Sequence, residues 1–583
     1  MKRLLIIFTV ISIVFITTSC EDDIFDRQPL DKISDSDVWD DPALLRSYLT
    51  DAYQRMPFNH RLKEGLSDNL LEIRTDIATI NRANPDYVST AAFSRTNDPI
   101  PYWNYSLIRD VNVFIDNIGN ASVAQTTKDL LEGEARVLRA MIYFEMQKRY
   151  GGVPLVDVPL DPFNPIDQKY TKRNNEETIA DFIDNDLEVA VTLLSENNES
   201  LGMINKWTAY AVKARANLWA ASIAKYGTVQ LNGLVGIPSG RANEFYTKAS
   251  DAANAVISSG KYSLFNQIND RSENFRVLFL TEENGEAIFS KKYDGVNIFH
   301  AWNLFNLPQS ISGGRGGWLN PLYDYILAVE NIDGSPRQPS IGPEYLYDYA
   351  YQAFENKDPR IKAVIFFDGD EHAGYTIRTY EGIDPSLVPN PNSILNSWGQ
   401  TYKGMPQVAE DSRLNPSAEK STSTGFLVKK FCADEVFLQQ SKTPWMEYRL
   451  AEMYLTQAEA EFELGNKQEA ATALNATRER AGISLVDQST ITLDHVRTER
   501  MSELAWEEHR WWDLRRWRIA EEVLNLRTMQ GLRTIYHYET GKIYFLPLAA
   551  ESFARIFREE HYYNPITDKR INNNVDLVEN PGY

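Results

Sequence analysis

Cysteine and histidine are scarce in this chain, and their scarcity removes several classes of site. The 583 residues include two Cys and seven His. Two cysteines cannot form a disulfide framework or a cysteine-rich metal site, and no two histidines have the spacing of the HExxH metal motif. No GxSxG nucleophile motif occurs. We therefore predict that this protein is not an enzyme and has no catalytic residue.

Positive charge is also in deficit. Lys and Arg total 60 against 81 Asp and Glu, which gives a formal net charge of -21. A surface this negative repels the phosphate backbone of nucleic acids, so DNA and RNA are excluded as predicted partners. The apolar fraction of 43% and the charged fraction of 24% are nevertheless typical of a folded chain.

Long apolar runs are confined to the first twenty residues. Lys2 and Arg3 precede an apolar stretch at 4–16, and small residues lead to Cys20, the pattern of a secretory signal. The site resembles a bacterial lipobox, whose cysteine is acylated and becomes the mature N-terminus. We predict a signal peptide over 1–19 and a lipid anchor on Cys20; the alternative is an uncleaved anchor helix. The acidic residues at 21–23 are typical of a surface-export signal or of a solvated tether, and we expect an outer-membrane protein facing the exterior.

Helical periodicity is the main signal in the rest of the chain. Apolar residues recur every three or four positions over 131–150, 207–224, 245–259, 447–464 and 468–481, and a last helix is predicted over 493–529. Small residues such as Ala211, Ala214 and Ala221 have the spacing that lets helices pack closely, as in tetratricopeptide-like hairpins. The pattern predicts a mostly α-helical fold with tetratricopeptide-like helix pairs as its scaffold. Trp506, Trp512 and Trp517 are predicted to be core residues.

The amino-acid composition changes between about 261 and 445, where Gly, Pro, Asn and Tyr become more frequent. We predict a loop-rich lobe inserted between helical parts at about 29–260 and 446–583, and loops on a scaffold are where binding usually resides. The glycine run at 313–317 lacks the Lys-Ser/Thr ending of a phosphate-binding loop, so it is predicted to be a flexible loop. The acidic residues at 368–371 are interpreted as a solvated turn, with structural Ca²⁺ as the alternative.

Several stretches resemble the SusD/RagB family of outer-membrane lipoproteins. They are EGEARVLRA at 132–140, RYGGVPL at 149–155, YRLAEMYL at 448–455, ERMSELAWEEHRWWDLRRW at 499–517 and NPGY at 580–583. The resemblance implies a non-enzymatic protein without a cofactor. Such proteins sit as a lid on a SusC-like TonB-dependent transporter and deliver glycans to it, or in some members peptides. Motif residues such as Arg136, Arg139, Arg510 and Asp513 are expected to hold helices together.

Aromatic residues are abundant, with 12 Trp, 30 Tyr and 26 Phe. A flat ring packs against the apolar C–H face of a sugar, at about 1 kcal/mol per contact, and several such contacts along one oligosaccharide add up. From their loop positions and the resemblance we predict a set of aromatic ligand contacts and a set of polar neighbours. The aromatic set is Trp302, Trp318, Trp103, Trp398, Tyr345 and Tyr402, and the polar set is Asn303, Asn306 and Arg315.

Other functions stay open at this point. A chain with 81 acidic residues always offers carboxylate pairs, so a surface-tethered glycoside hydrolase is one alternative. A peptide binder and a tetratricopeptide-type adaptor that binds only protein are others. The sequence does not identify the glycan.

Overall fold

A computed structural model describes residues 38–583, except 61, 63–70, 82, 162, 198–200, 417–421 and 436–437. The predicted signal peptide at 1–19 and Cys20 lie outside the described residues. Within the described part of the chain, no helix is long and apolar enough to cross a membrane.

Helices dominate the described residues. The N-terminal helices are α1 (Pro42–Gln54), α2 (Pro85–Val88), α3 (Tyr105–Ile118), α4 (Gln125–Tyr150), α5 (Glu176–Leu193), α6 (Lys206–Tyr226) and α7 (Ala242–Ser258). Shorter helices follow: α8 (Arg271–Leu278), α9 (Trp302–Asn306), α10 (Gln309–Ser312), α11 (Tyr323–Ala328) and α12 (Arg360–Val364). The C-terminal helices are α13 (Leu450–Leu464), α14 (Lys467–Ala481), α15 (Leu493–Leu504), α16 (Arg510–Arg516), α17 (Ala520–Leu524) and α18 (Asp568–Asn573).

Most strands are short and pair antiparallel. They are β1 (Ala78–Ile80), β2 (Ala287–Lys291), β3 (Leu319–Pro321), β4 (Ile365–Phe366), β5 (Glu371–His372), β6 (Tyr375–Thr376), β7 (Ile383–Asp384), β8 (Thr401–Tyr402), β9 (Met405–Pro406), β10 (Leu427–Val428), β11 (Trp445–Arg449), β12 (Gln530–His537) and β13 (Lys542–Ala549). β7 joins the β12–β13 hairpin as a parallel edge strand. The pairs β1–β3, β4–β10, β2–β11, β5–β6 and β8–β9 complete the set.

The long helices form one packed series. α4 packs on α5, α5 on α6, α6 on α7, α7 on α13, and α13 on α14. Ala211, Ala214 and Ala221 are completely buried at these contacts, which allows the close approach that their spacing predicted. The mostly helical fold with paired helices as its scaffold is confirmed, and the contact between α7 and α13 joins the N-terminal and C-terminal parts directly.

Two helix predictions need correction. The stretch from 447 to 449 is not helical, because Trp445–Arg449 forms β11, which is buried along its whole length and pairs with β2. The helix predicted over 493–529 is broken after Leu504, since Trp506 and Glu508 adopt positive φ angles of 60° and 62°. The chain then continues as α16, α17 and β12. The break directs the Glu507 carboxylate toward interior cations.

The inserted part packs on a second hydrophobic core, which it shares with residues of the N-terminal and C-terminal parts. Its members include Ile365, Phe366 and Phe431 from the insert, together with Met501 and Trp506. Trp506, Trp512 and Trp517 are all buried, as predicted. Because C-terminal residues fill this core, the insert is held in a fixed position against the scaffold.

A buried ion network lies where the insert meets the scaffold. Arg449, at the end of β11, contacts Glu286 at 2.7 Å, Glu503 at 2.6 Å and Glu507 at 2.6 Å, and Lys430 contacts Glu507 at 2.7 Å. All five side chains are at most 4% exposed. The network therefore ties strand β11, α15 and the insert together in a region without water access.

The network continues through neighbouring arginines. Arg360 contacts Asp358 at 2.6 Å and both Glu499 and Glu503 at 2.7 Å, and Arg480 also pairs with Glu503. Burial alone would raise the pKa of Glu503, but the charges of Arg480, Arg449 and Arg360 hold that pKa below its ordinary value. Glu503 is thus kept ionised in the interior.

Stability is expected to fall with acid in two stages. Burial lowers the pKa of His300 and of His561 to about 4, so these imidazoles favour the folded state above pH 6.5 and lose that contribution as pH falls toward 4. The lowered pKa values of Glu503 and Glu507 add a second loss below about pH 4.5. Urea midpoints measured at pH 7.5, 5.5 and 4 should decrease in that order, with the steeper decrease at the acidic end; constant midpoints would contradict the assignment.

Candidate functional site

The rings that remain accessible in the insert lie around the β7–β12–β13 sheet and the β8–β9 hairpin. We call the surface formed by Trp318, Trp398, Tyr402 and Tyr538 the insert face. Each of these side chains is partly or well exposed, unlike most aromatic residues of the chain. Tyr402 and Tyr538 are in direct contact, Trp398 lies on the loop before the hairpin, and the loop that carries Trp318 is hydrogen-bonded to the segment after the hairpin.

Tyr402 and Tyr538 form the centre of the insert face. Their ring centroids are 5.0 Å apart and the rings are nearly perpendicular, at 87°. The Lys403 ammonium lies 5.1 Å from the Tyr402 ring and 4.8 Å from the Tyr538 ring, and it pairs with Glu539 at 3.3 Å. The arrangement is a corner with one apolar face on each side and a cation–carboxylate pair beside it.

The local sequence explains why the hairpin presents these groups. Lys403 and Gly404 have φ angles of 47° and 86°, the pair of positive values that a two-residue hairpin turn requires. Trp398 lies just before the hairpin and is 37% exposed. Its loop is fixed by a hydrogen bond from the Ser397 N–H to the Gln407 side chain at 3.1 Å and by another between the backbones of Gln407 and Gln400.

Tyr345 lies at the opposite edge of the same sheet. The Tyr347 N–H donates to the Ile543 carbonyl at 2.8 Å, and on the other edge Leu395 bridges Ile383. Tyr345 thus lies beside β13, whereas Tyr538 directly follows β12, the central strand. Tyr345 is 42% exposed, and in the described part of the chain no ring contact joins it to Tyr402 or Tyr538.

Trp318 joins the insert face through the glycine-rich loop. Its indole N–H donates to the Arg315 carbonyl at 3.0 Å, and Phe305 packs edge-on against it at 6.1 Å. A Cβ atom on Gly316 would lie 1.7 Å from the Leu307 carbonyl oxygen, so only glycine fits there. The Ser310 backbone N–H and hydroxyl donate to Asp411 at 2.8 and 2.7 Å, which fastens this loop to the segment that follows the hairpin. Arg315 itself is exposed.

Three predicted ligand contacts do not fit that role. Trp302 is 1% exposed, donates its indole N–H to the Lys430 carbonyl at 3.0 Å and packs against Phe431 at 5.5 Å. Asn303 and Asn306 are fully buried. The Asn303 amide bonds the backbone at 433 and 435. These side chains point into the second core because α9 turns that face inward, so the prediction of an exposed platform at Trp302 was wrong.

Trp103 is half-buried in the helical scaffold. It packs against Tyr150 at 5.1 Å and Tyr105 at 5.4 Å, and the Arg570 guanidinium lies 5.1 Å from its ring. In the described part of the chain, none of its ring contacts is with the insert face. The structure thus places Trp398 and Tyr402 at the hairpin, ties the loop of Trp318 to the segment that follows it, and places Trp103 in the scaffold.

The acidic turn at 368–371 is less solvated than predicted. Asp368 is buried, and its carboxylate accepts the backbone N–H of Thr379 at 2.6 Å and of Tyr380 at 3.0 Å. Burial raises its pKa despite the nearby Arg378. Asp368 therefore braces the chain leading to β7. Within the described ranges, no group of three His, Cys, Asp or Glu side chains is arranged to hold a metal ion.

The motif residues expected to hold helices together do so. Arg139 pairs with Asp186 at 2.7 Å and Arg510 with Asp76 at 2.7 Å, while Arg136 and Asp513 make further ion pairs inside the scaffold. Sequence reasoning missed Tyr538. Tyr538 directly follows β12, a strand that helical periodicity did not predict.

Comparisons with known proteins agree with this architecture. The model of the SusD family matches residues 285–583, which is just over half of the chain. A second model, described as starch-binding associating with outer membrane, matches residues 26–218. The chain belongs to the SusD family.

Individual relatives match over nearly the full length of this SusD family member. A SusD-like protein of Bacteroides ovatus is 23% identical over 97% of this chain and 92% of its own length. The crystal structure of a SusD-like protein from Bacteroides fragilis has a TM-score of 0.71 and 25% identity, covering 96% of this chain and all of that one. A second Bacteroides fragilis structure, a SusD-like carbohydrate binding protein, has a TM-score of 0.67 and 20% identity over 93% of this chain and 99% of its own.

Proposed function

We propose that this chain is a cell-surface lipoprotein that binds oligo- or polysaccharide on the insert face and delivers it, uncleaved, to a partner TonB-dependent outer-membrane transporter. The observation that carries the proposal is family membership, because matches to SusD models cover both the N-terminal and the C-terminal part of the chain. Acyl chains on Cys20 would hold the protein at the outer membrane, facing the exterior. The carbohydrate-binding relative supports a saccharide as the ligand.

The geometry of the insert face suits a sugar chain. Trp398, Tyr402 and Tyr538 offer apolar ring surfaces at one end of the sheet, and the Lys403–Glu539 pair offers donors and acceptors beside them. Trp318 lies on the adjoining loop. Rings spread over a surface suit successive units of an oligosaccharide, since each contact is weak and their sum gives the affinity.

The carboxylates recorded near these rings favour binding over hydrolysis. A glycosidase needs one protonated and one ionised carboxyl group facing the scissile bond. Glu381 pairs with Arg413 at 2.8 Å and with Arg533 at 3.1 Å, and Glu539 pairs with Lys403. Both carboxylates are thus bound to cations, which favours a binding role over that of a general acid.

Ring removal is expected to weaken glycan binding in proportion to the number of rings removed. Each of Trp398→Ala, Tyr402→Ala and Tyr538→Ala should lower affinity about 5-fold, at about 1 kcal/mol per ring, and the triple variant about 100-fold. Affinity electrophoresis in polysaccharide gels measures the change. Tyr375→Ala, which removes an exposed ring on the separate β5–β6 hairpin, is the control and should bind normally. A correctly folded triple variant with wild-type affinity would overturn the assignment of the face.

A further inference from the structure

A second cavity lies in the insert, away from the hairpin rings. It has a volume of about 170 Å³ and lies between the segments 331–340 and 347–357. Asn331, Tyr347, Gln352 and Lys357 are among its lining residues. Tyr347 shows where the cavity lies in the fold, because the Tyr347 backbone pairs with Ile543 at the outer edge of β13. The cavity is of the size of one sugar ring or of several water molecules.

The charge of this cavity is opposite to that of the chain. The residues that line it include Lys357 and Arg337 and contain no Asp or Glu. The whole chain carries a formal net charge of -21, so a cavity lined only by cations and neutral groups stands out. Arg337 is exposed at the rim, and no carboxylate lies within 4 Å of its guanidinium in the described part of the chain.

Lys357 is the unusual residue among those that line the cavity. It is 2% exposed, and its ammonium donates one hydrogen bond, to the Val329 carbonyl at 2.7 Å. Among the residues the structure describes, no carboxylate comes within ion-pair distance of it. The charges of Asp358 and Glu330 offset part of the cost of burial from a longer distance, but their direct ion pairs are with Arg360 at 2.6 Å and with Arg478 at 2.8 Å.

Such an ammonium has unused binding capacity. It carries three N–H donors, of which one has a recorded acceptor. Burial lowers the pKa of Lys357 to about 8, so the group is still mostly protonated at pH 7. A buried ammonium without a direct ion pair is unfavourable, and a carboxylate or sulfate group that enters the cavity would supply one.

The neutral groups around Lys357 are those that bind hydroxyls. The Gln352 amide oxygen accepts the Asp348 N–H at 2.7 Å, which leaves its NH₂ group available. The Asn331 NH₂ group donates to Ser335 at 2.9 Å, and its carbonyl oxygen has no recorded donor. The Tyr347 hydroxyl donates to the Ser340 carbonyl at 2.7 Å, which fixes its ring at the cavity wall.

We propose that this cavity binds one acidic sugar residue, whose carboxylate or sulfate group contacts Lys357 while its hydroxyls contact the surrounding amides. The site adds a charged saccharide class to the proposed function and uses none of the rings of the insert face. The shared chemistry is a singly charged oxygen anion on a pyranose. A uronic acid and a sulfated sugar both supply it.

Isothermal titration of the mature chain, residues 21–583, at pH 7 tests the site with three probes: D-glucuronate, D-glucose and inorganic sulfate. We expect glucuronate to bind about 10-fold more tightly than glucose, because a charge-assisted hydrogen bond replaces a neutral one. Sulfate should compete with glucuronate if the anion is the recognised group. Equal affinity for glucose and glucuronate would overturn the proposal, and so would sulfate that fails to compete.

Two variants localise the effect. Lys357→Met should lower glucuronate affinity at least about 10-fold, and Arg337→Met about 3-fold; the exposed Lys467→Met on α14 is the matched control and should bind normally. Because Lys357 is buried, circular dichroism and a thermal unfolding curve must show that the Lys357→Met variant folds. If that variant does not fold, the Arg337→Met variant tests the site, since Arg337 is exposed. Wild-type affinity in both variants would contradict the site. The triple ring variant should still bind glucuronate, which separates a failure of this inference from a failure of the insert face.

Discussion

Arg449→Met is expected to lower the free energy of unfolding by about 4 kcal/mol. The guanidinium contacts Glu286, Glu503 and Glu507 at 2.6–2.7 Å, and all of these groups are buried. Methionine keeps much of the apolar volume but removes the charge, so three buried carboxylates each lose one of their counter-ions. Losing one partner of a buried network is costly even where replacing the whole network would not be.

Guanidinium unfolding monitored by tryptophan fluorescence measures this effect. The control is Arg95→Met, which removes a solvent-exposed pair with Asp568 at 2.7 Å and should change stability by about 1 kcal/mol or less. If Arg449→Met lowered the free energy of unfolding no more than Arg95→Met does, Arg449 would not be the centre of the junction between β11, α15 and the insert.

Cys20→Ser is expected to release the protein from the membrane completely. Each buried methylene of an acyl chain contributes about 0.8 kcal/mol, and two or more chains make a stable anchor; serine at position 20 cannot carry them on a thioether. Membrane fractionation with a labelled fatty acid measures the change. The matched control is Cys432→Ser, since Cys432 is buried in the second core and has no role in anchoring.

The fatty-acid label on the unmutated protein decides between the two interpretations of the N-terminus. Unmutated protein that stays in the membrane fraction without fatty acid would identify residues 1–19 as an uncleaved anchor helix. Loss of the label from Cys432→Ser as well would show that the label does not report position 20.

The helical scaffold was largely predictable because the signals that define each helix lie within or next to it in the sequence. Apolar residues recur with helical spacing inside each of the long helices α4, α6, α7, α13 and α14. Left-handed glycines end two of them, Gly465 after α13 and Gly482 after α14. The break after Leu504 was not predictable in this way. It depends on Glu507 reaching Arg449, 58 residues earlier in the chain, and helical periodicity contains no trace of that contact.

The insert face was predictable only in part, for the same reason. Trp398 and Tyr402 were found from their place in a loop, and they are accessible. Trp302 had an equally suitable place, yet its indole bonds Lys430, 128 residues later. Whether a loop tryptophan faces solvent or core is decided by such distant partners. Tyr538 was missed because its contact with Tyr402 spans the hairpin and the sheet.

Glycan binding without cleavage is tested by two assays on the mature chain. The protein is run through gels that contain starch, laminarin, fructan, xylan or mucin glycans. Each mixture of protein and glycan is then assayed for new reducing ends. The account predicts retardation by at least one polysaccharide with no release of reducing ends. Sugar release at catalytic rates, or no retardation by any polysaccharide alongside firm binding of peptides, would contradict it.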